Sequence, residues 1–176
     1  MTPLLNIPQQ KAVFFDRDGV INVDHGYVSK QEDFTFVDDI FPVMRLLAEK
    51  GYALIVVTNQ SGIGRGYYTE EDFQTLTSWM LSRFAEEGVE ISAVYHCPHS
   101  PEADCACRKP ATGMLLQAIS EHSVDPAESW MVGDKDSDMG AADAAGICNR
   151  VLLGDADSRH STHRIAKISD LLSLPI

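Results

Sequence analysis

Short apolar runs alternate along this chain with stretches of helical period. Ala12 to Phe15, Ala53 to Val57, Ile91 to Tyr95, Trp130 to Val132 and Cys148 to Leu153 read as strands, and their alternation with helices predicts an α/β fold. Between the first two, Ile40 to Lys50 places Val43, Leu46 and Leu47 on one helical face, and Gly51 stands where a helix end takes a left-handed residue. Thr69-Glu70-Glu71-Asp72 has the form of a capping box, with Asp for the usual Glu, ahead of Phe73, Leu76, Trp79, Met80 and Phe84. Thr112 or Gly113 opens a further helix through Ile119, and Ser137 to Ala145 a short one before Gly146. Each strand thereby gains a crossover, which predicts a doubly wound, mainly parallel sheet. The polar stretch from Gly154 to His163 reads as a loop before a final amphipathic helix near Ile165 to Leu172. Cys148, on the last strand, reads as a small buried hydrophobe.

Composition narrows the class. With 176 residues, 44% of them hydrophobic, the chain fits a single domain over 1–176 that buries roughly 70% of its unfolded surface. No segment between the predicted elements is long enough for a separate cap domain. No run approaches the ~18 apolar residues of a membrane span, and Met1 to Lys11 lacks the basic start and apolar centre of an export signal, so a cytoplasmic chain is expected. The net charge of −12 repels a nucleic acid backbone or an anionic membrane, and no Lys/Arg cluster offsets it. A small phosphorylated substrate is compatible with that charge, because a few basic residues and a divalent metal dominate the field inside a site.

The chemistry gathers where strands end. Asp16 and Asp18 follow Val13-Phe14-Phe15, and Gly19 permits a turn that faces both carboxylates into one pocket. Taken alone, the pair reads more readily as a solvated turn capping a strand, and only the segments downstream reverse that. The second strand leaves through Thr58-Asn59-Gln60-Ser61-Gly62-Ile63-Gly64-Arg65-Gly66, whose backbone N–H groups and Thr58 hydroxyl suit an anion, although it lacks the Lys-Ser/Thr ending of a P-loop. Lys109, ahead of Pro110, can fix a carboxylate and a phosphate together or be an ordinary surface charge. The fourth run ends in Gly133-Asp134-Lys135-Asp136-Ser137-Asp138. Mg²⁺ takes oxygen ligands and keeps several waters, so Asp16, the Asp18 carbonyl and Asp134 suit it, with Asp138 orienting its neighbours.

Cys97-Pro98-His99 and Cys105-Ala106-Cys107 bracket five residues. Three thiolates and an imidazole fill a zinc tetrahedron with no open position, which predicts a structural metal in a loop over 97–107. A disulfide is the rival reading, but it suits an exported chain and leaves His99 without a role. Because Arg108 and Lys109 follow the last ligand directly, zinc binding should fix the loop that carries both.

In this order at these strand ends, the segments resemble the haloacid dehalogenase superfamily of aspartyl phosphatases across residues 12 to about 150. The resemblance implies Asp16 as nucleophile, Asp18 as general acid/base, Thr58 and Lys109 as phosphoryl stabilisers, and Asp134 as a magnesium ligand. The zinc loop before Arg108-Lys109-Pro110, with Asp16 to Val28, Val57 to Ile63 and Met131 to Lys135, is similar to the histidinol phosphatase and heptose bisphosphate phosphatase branch, and within it to the heptose bisphosphate enzymes. That implies removal of the C7 phosphate of D-glycero-D-manno-heptose 1,7-bisphosphate on the route to ADP-heptose for lipopolysaccharide. It also implies substrate contacts from Asp24, His25, Gly26 and Tyr27, from Thr58, Asn59, Gln60 and Ser61, and from Arg108, Lys109 and Lys135. Arg65 could bind the distal phosphate. Histidinol phosphate or another small sugar phosphate is the alternative substrate. A phospho-receiver domain is the alternative of a different class, sharing a doubly wound sheet with clustered aspartates, a Thr and a Lys around Mg²⁺. The partner expected is a small phosphorylated sugar, with no nucleic acid and no membrane, and the chain is read as a monomer.

Overall fold

The structure, a computed structural model, describes residues 9–176. Most of the segment read as lacking an export signal lies outside the described residues. Among those residues no helix is long and apolar enough to cross a membrane.

In chain order the elements are β1 (Ala12–Phe15), α1 (Ile40–Glu49), β2 (Ala53–Asn59), α2 (Ser61–Gly64), α3 (Glu70–Glu86), β3 (Ala93–Cys97), α4 (Gly113–Glu121), β4 (Trp130–Gly133), α5 (Asp136–Ala144), β5 (Asn149–Leu153) and β6 (His163–Ile165). All six strands pair in parallel, in the order β3-β2-β1-β4-β5-β6. The runs are continuously apolar because both faces of the sheet are covered. Val13, Phe15, Leu54, Val56, Trp130, Val132 and Val151 turn toward α1, α3 and the C-terminal segment. Their neighbours Ala12, Phe14, Ile55, Val57, Met131 and Leu152 turn toward α4 and α5. Strand order reverses between β1 and β4, and in open α/β sheets that crevice, beyond the carboxyl ends, is where ligands bind. Asp16 and Asp134 are the first residues past those two strands.

The Thr69–Asp72 capping box is present, with Asp72 N–H donating to Thr69 Oγ1 at 3.1 Å and Thr69 N–H to Asp72 Oδ2 at 2.8 Å. Gly51 sits at φ +86° after α1. Four expectations need correction. In α1 the buried face is Ile40, Val43, Met44 and Leu47, spaced i, i+3, i+4, i+7, and Leu46 is exposed because Met44 takes the inward position. The third strand runs over Ala93–Cys97 rather than Ile91 to Tyr95, since its register on β2 pairs Ile55 with Ala93 and Asn59 with Cys97. Cys148 is exposed and precedes β5; Ile147 fills the core instead, and a shift of one residue reverses which side chain points inward. No amphipathic α-helix forms over 165–172. His163–Ile165 adds a sixth strand beside β5, whose open backbone groups it pairs, and Ile168–Ser173 is a 3-10 helix that buries Ile168 and Leu171. Their i, i+3 spacing fits three residues per turn.

Candidate active site

Two glycines let the exits of β1 and β4 close on each other. Gly19 has φ +88°, and a Cβ there would overlap the Asp134 carboxylate; a Cβ at Gly133 would overlap Asp138. The chain can therefore bring Asp16, Asp134 and Asp138 together, with one carboxylate oxygen of each lying within 4.8 Å of the others. Lys109 enters this cluster from the far side. Its Nζ lies 3.0 Å from Asp16 Oδ1 and 2.7 Å from Asp138 Oδ1, and donates to the Val57 carbonyl at 2.7 Å. The Asn59 side chain grips both backbone groups of Lys109, accepting from its N–H at 3.0 Å and donating to its carbonyl at 3.1 Å.

The charges in this floor do not balance. Burial, and then the neighbouring Asp138, push the Asp16 carboxyl up to about 8, and burial likewise raises Asp134. Burial alone would lower the Lys109 ammonium, but Asp138 and Asp16 outweigh it and hold the group above the usual lysine range. Lys109 offsets one carboxylate of three, and Asp134 Oδ1 is buried without a hydrogen-bond partner. An unpartnered oxygen in an all-oxygen cluster with surplus negative charge fits a hard divalent cation.

Asp18 faces the same cavity, of about 480 Å³, as Asp16, Lys109 and Asp138. Its carboxylate accepts from Arg17 Nη2 at 2.9 Å, Asn22 Nδ2 at 3.0 Å and Gln60 Nε2 at 3.0 Å. Arg17, 1% exposed, is tied down by a second bond to the Val28 carbonyl at 2.7 Å. Asp24, Gly26, Tyr27, Asn59, Gln60, Ser61, Arg108 and Lys135 also line the cavity. Arg108 brings a buried Nη1 that lacks a partner. At the mouth, Lys135 Nζ and Asp24 Oδ2 stand 3.4 Å apart, and the exposed rings of Tyr27 and Tyr67 meet edge to face at 4.8 Å.

Some expected residues stand elsewhere. Thr58 is wholly buried at the end of β2, its hydroxyl accepting from Gln60 at 2.8 Å. His25 is exposed and off the cavity wall, and Arg65 faces Glu102 at 3.6 Å. Conversely, Tyr68 and Ser137 line the cavity unexpectedly, beside Asp138, which was expected to orient its neighbours. Asp138 had a signal in its place after the fourth strand, whereas Tyr68 had none, lying outside every motif.

The cysteine cluster forms at the end of β3. Sulfur–sulfur separations are 3.7 Å (Cys97–Cys105) and 3.8 Å (Cys105–Cys107), and His99 Nδ1 lies 3.4 Å from Cys97 Sγ and 3.2 Å from Cys107 Sγ. Zn–S bonds of ~2.3 Å in a tetrahedron put sulfurs about 3.8 Å apart, whereas a disulfide needs ~2.05 Å. The donors fit zinc. A backbone N–H of Arg108 lowers the Cys105 thiol to about 7, and burial raises Cys97 to about 12. The loop seats on its neighbours through Gly64 N–H to the Pro98 carbonyl at 2.8 Å and Gly113 N–H to the Ala106 carbonyl at 2.9 Å. A Cβ at Gly64 would come within 2.7 Å of Ser100 N, so this approach requires glycine.

This constellation has close relatives. The family model described as HAD-hyrolase-like matches residues 106–170. The D-glycero-beta-D-manno-heptose-1,7-bisphosphate 7-phosphatase of Yersinia pestis is 51% identical over 149 residues, covering 81% of this chain and 79% of that protein. The protein of the same name from Haemophilus ducreyi is 49% identical over 151 residues, covering 82% and 83%. The chain belongs to this phosphatase family. The fold agrees with that membership. The crystal structure of D,D-heptose 1.7-bisphosphate phosphatase from B. bronchiseptica, complexed with magnesium and phosphate, matches with a TM-score of 0.83 at 28% identity, covering 93% of this chain and 98% of that one. The family's six-stranded parallel α/β architecture is the one described above.

Proposed function

We propose that this chain is a magnesium-dependent phosphatase that removes the C7 phosphate from D-glycero-β-D-manno-heptose 1,7-bisphosphate, in ADP-heptose synthesis for the lipopolysaccharide core, through an aspartyl phosphate on Asp16. The observation that carries the substrate is identity near 50% over about four-fifths of the chain to enzymes of that name. The β anomer is taken from those names.

Asp16 attacks phosphorus as the ester bond breaks, and Asp18 gives its proton to the leaving sugar oxygen. Water then attacks phosphorus, passing its proton to Asp18 and freeing Asp16. Lys109 neutralises charge on Asp16 and on the transferring phosphoryl group, its position fixed by Asn59 and Asp138. Thr58, expected as a further stabiliser, is buried with its hydroxyl on Gln60 and acts through that amide, and the unpartnered Arg108 guanidinium reaches a substrate oxygen. Asp16, Asp134 and the Asp18 carbonyl hold magnesium, which supplies charge stabilisation for the phosphoryl group when bound. Asp24, Gly26, Tyr27, Asn59 to Ser61 and Lys135 contact the sugar or its second phosphate, while His25 stands off the cavity wall. The site of Arg65, already facing Glu102, makes it the weakest candidate for the distal phosphate. Cys97, His99, Cys105 and Cys107 hold a structural zinc that sets the position of Arg108.

The test compares kcat/KM for both heptose 1,7-bisphosphate anomers and for histidinol phosphate, with and without Mg²⁺. Preference for the β anomer and dependence on Mg²⁺ are expected. A clear preference for histidinol phosphate would overturn the substrate, and stoichiometric phosphorylation without turnover would favour a receiver.

A further inference from the structure

Gln60 links three groups of the site through one side-chain amide. A side-chain amide offers its NH₂ on one side and its oxygen on the other, so its orientation decides which of the two Asp18 meets. That NH₂ donates to Asp18 Oδ2 at 3.0 Å and to Thr58 Oγ1 at 2.8 Å. The amide oxygen points the other way, and the Tyr68 hydroxyl donates to it at 2.5 Å. Both side chains are buried. The Tyr68 ring lies across Gly62, where a Cβ would overlap it, so the ring's seat does not depend on its hydroxyl. Burial pushes the phenol up to about 12, which keeps the proton on the donor.

We infer that Tyr68 is a positioning residue for leaving-group protonation: by donating to Gln60 Oε1 it fixes the amide with its NH₂ toward Asp18, and so holds the Asp18 carboxyl facing the cavity. This rests on the aspartyl-phosphatase reading of the same site. Without the hydroxyl, Gln60 Oε1 is left buried and unpaired, which favours turning the amide over. Its oxygen would then face Asp18 and accept a hydrogen bond from the protonated acid, turning that proton away from the departing oxygen. The cost falls on the step in which the Asp18 proton passes to the departing oxygen while the Asp16–phosphorus bond forms. An aryl oxide leaves readily without that proton, whereas a sugar alkoxide does not.

The test is Tyr68→Phe, which keeps the ring over Gly62, assayed with Mg²⁺ on heptose 1,7-bisphosphate, on simple primary alkyl phosphates and on 4-nitrophenyl phosphate. Because kcat/KM covers the steps through phosphoenzyme formation, the loss on alkyl esters should exceed the loss on the aryl ester by about tenfold, a fraction of what general acids supply. Gln60→Met should give the same imbalance, and adding Tyr68→Phe to it should change nothing further, because both act through one amide. Equal losses on alkyl and aryl esters, or no loss, would overturn the inference, whatever the change in thermal midpoint. A wild-type enzyme that cleaves alkyl phosphates but not heptose bisphosphate would overturn the substrate alone, and the alkyl-to-aryl ratio would still decide on Tyr68.

Discussion

The floor of the cavity and its rim are built in opposite ways. In the floor, Asp16, Lys109 and Asp138 are each at most 5% exposed and Lys109 holds both carboxylates at 3.0 Å or less, so none can move without stranding a buried charge. At the rim, Tyr27 is 50% and Tyr67 62% exposed, and the Lys135–Asp24 pair spans 3.4 Å in contact with water. Ion pairs of that kind contribute little to stability. A rigid, dry floor suits chemistry common to all phosphate esters, which depends on preorganised charge. A wet, adjustable rim suits selection among sugars. The contrast predicts that floor variants lose turnover and rim variants lose affinity.

The largest effect should come from Asp16→Asn, which removes the proposed nucleophile. Its kcat should fall by about 10³-fold or more, with circular dichroism and thermal melting showing a folded protein. Near-normal turnover would break the floor's assigned chemistry. Lys109→Met should come next, lowering kcat by about 10²-fold and, unlike Asp16→Asn, destabilising the metal-free protein by about 3 kcal/mol in urea melts, because it leaves Asp16 and Asp138 without their cation. Added Mg²⁺ should restore part of that stability. Removing the proposed zinc with a chelator, or Cys105→Ser, should lower kcat/KM about tenfold by loosening Arg108 while Asp16 and Asp18 stay intact. Unchanged kinetics after verified zinc loss would separate the loop from the site. Smallest are the rim variants. Tyr27→Ala should raise KM a few-fold at constant kcat, as loss of uniform binding does. Arg65→Ala should change either constant by less than about twofold, since Glu102 already faces it. A fall in kcat from either would blur the division of floor from rim.

Much of the floor was legible in the sequence because strand ends are local features. An apolar run that stops at Asp16-Arg17-Asp18, and another that stops at Gly133-Asp134, carry their position in a parallel sheet with them. The Cys97, His99, Cys105 and Cys107 cluster was legible for a similar reason, being confined to eleven residues. Periodicity failed where two readings share a spacing. Ile168 and Leu171 fit a 3-10 helix as well as an α-helix, and the free edge of β5 took His163–Ile165 as a strand. Cys148 was misplaced by a single position, Ile147 being the inward residue, and Leu46 by the choice of helical face, Met44 being the inward one, neither of which composition resolves.

The sequence by itself determined the alternation of strands and helices, the polar exits of β1, β2 and β4 and a Cys3His loop, because each depends on residues close in the chain. Only the tertiary structure decided who meets whom across it. Lys109 lies 93 residues from Asp16 and its backbone 50 residues from Asn59, while Gln60 lies 42 residues from Asp18. No local pattern encodes those distances. They follow from packing both faces of the sheet, which fixes the strand ends relative to one another and leaves Asp138 on Lys109, Tyr68 on Gln60 and Arg65 facing away from the cavity toward Glu102.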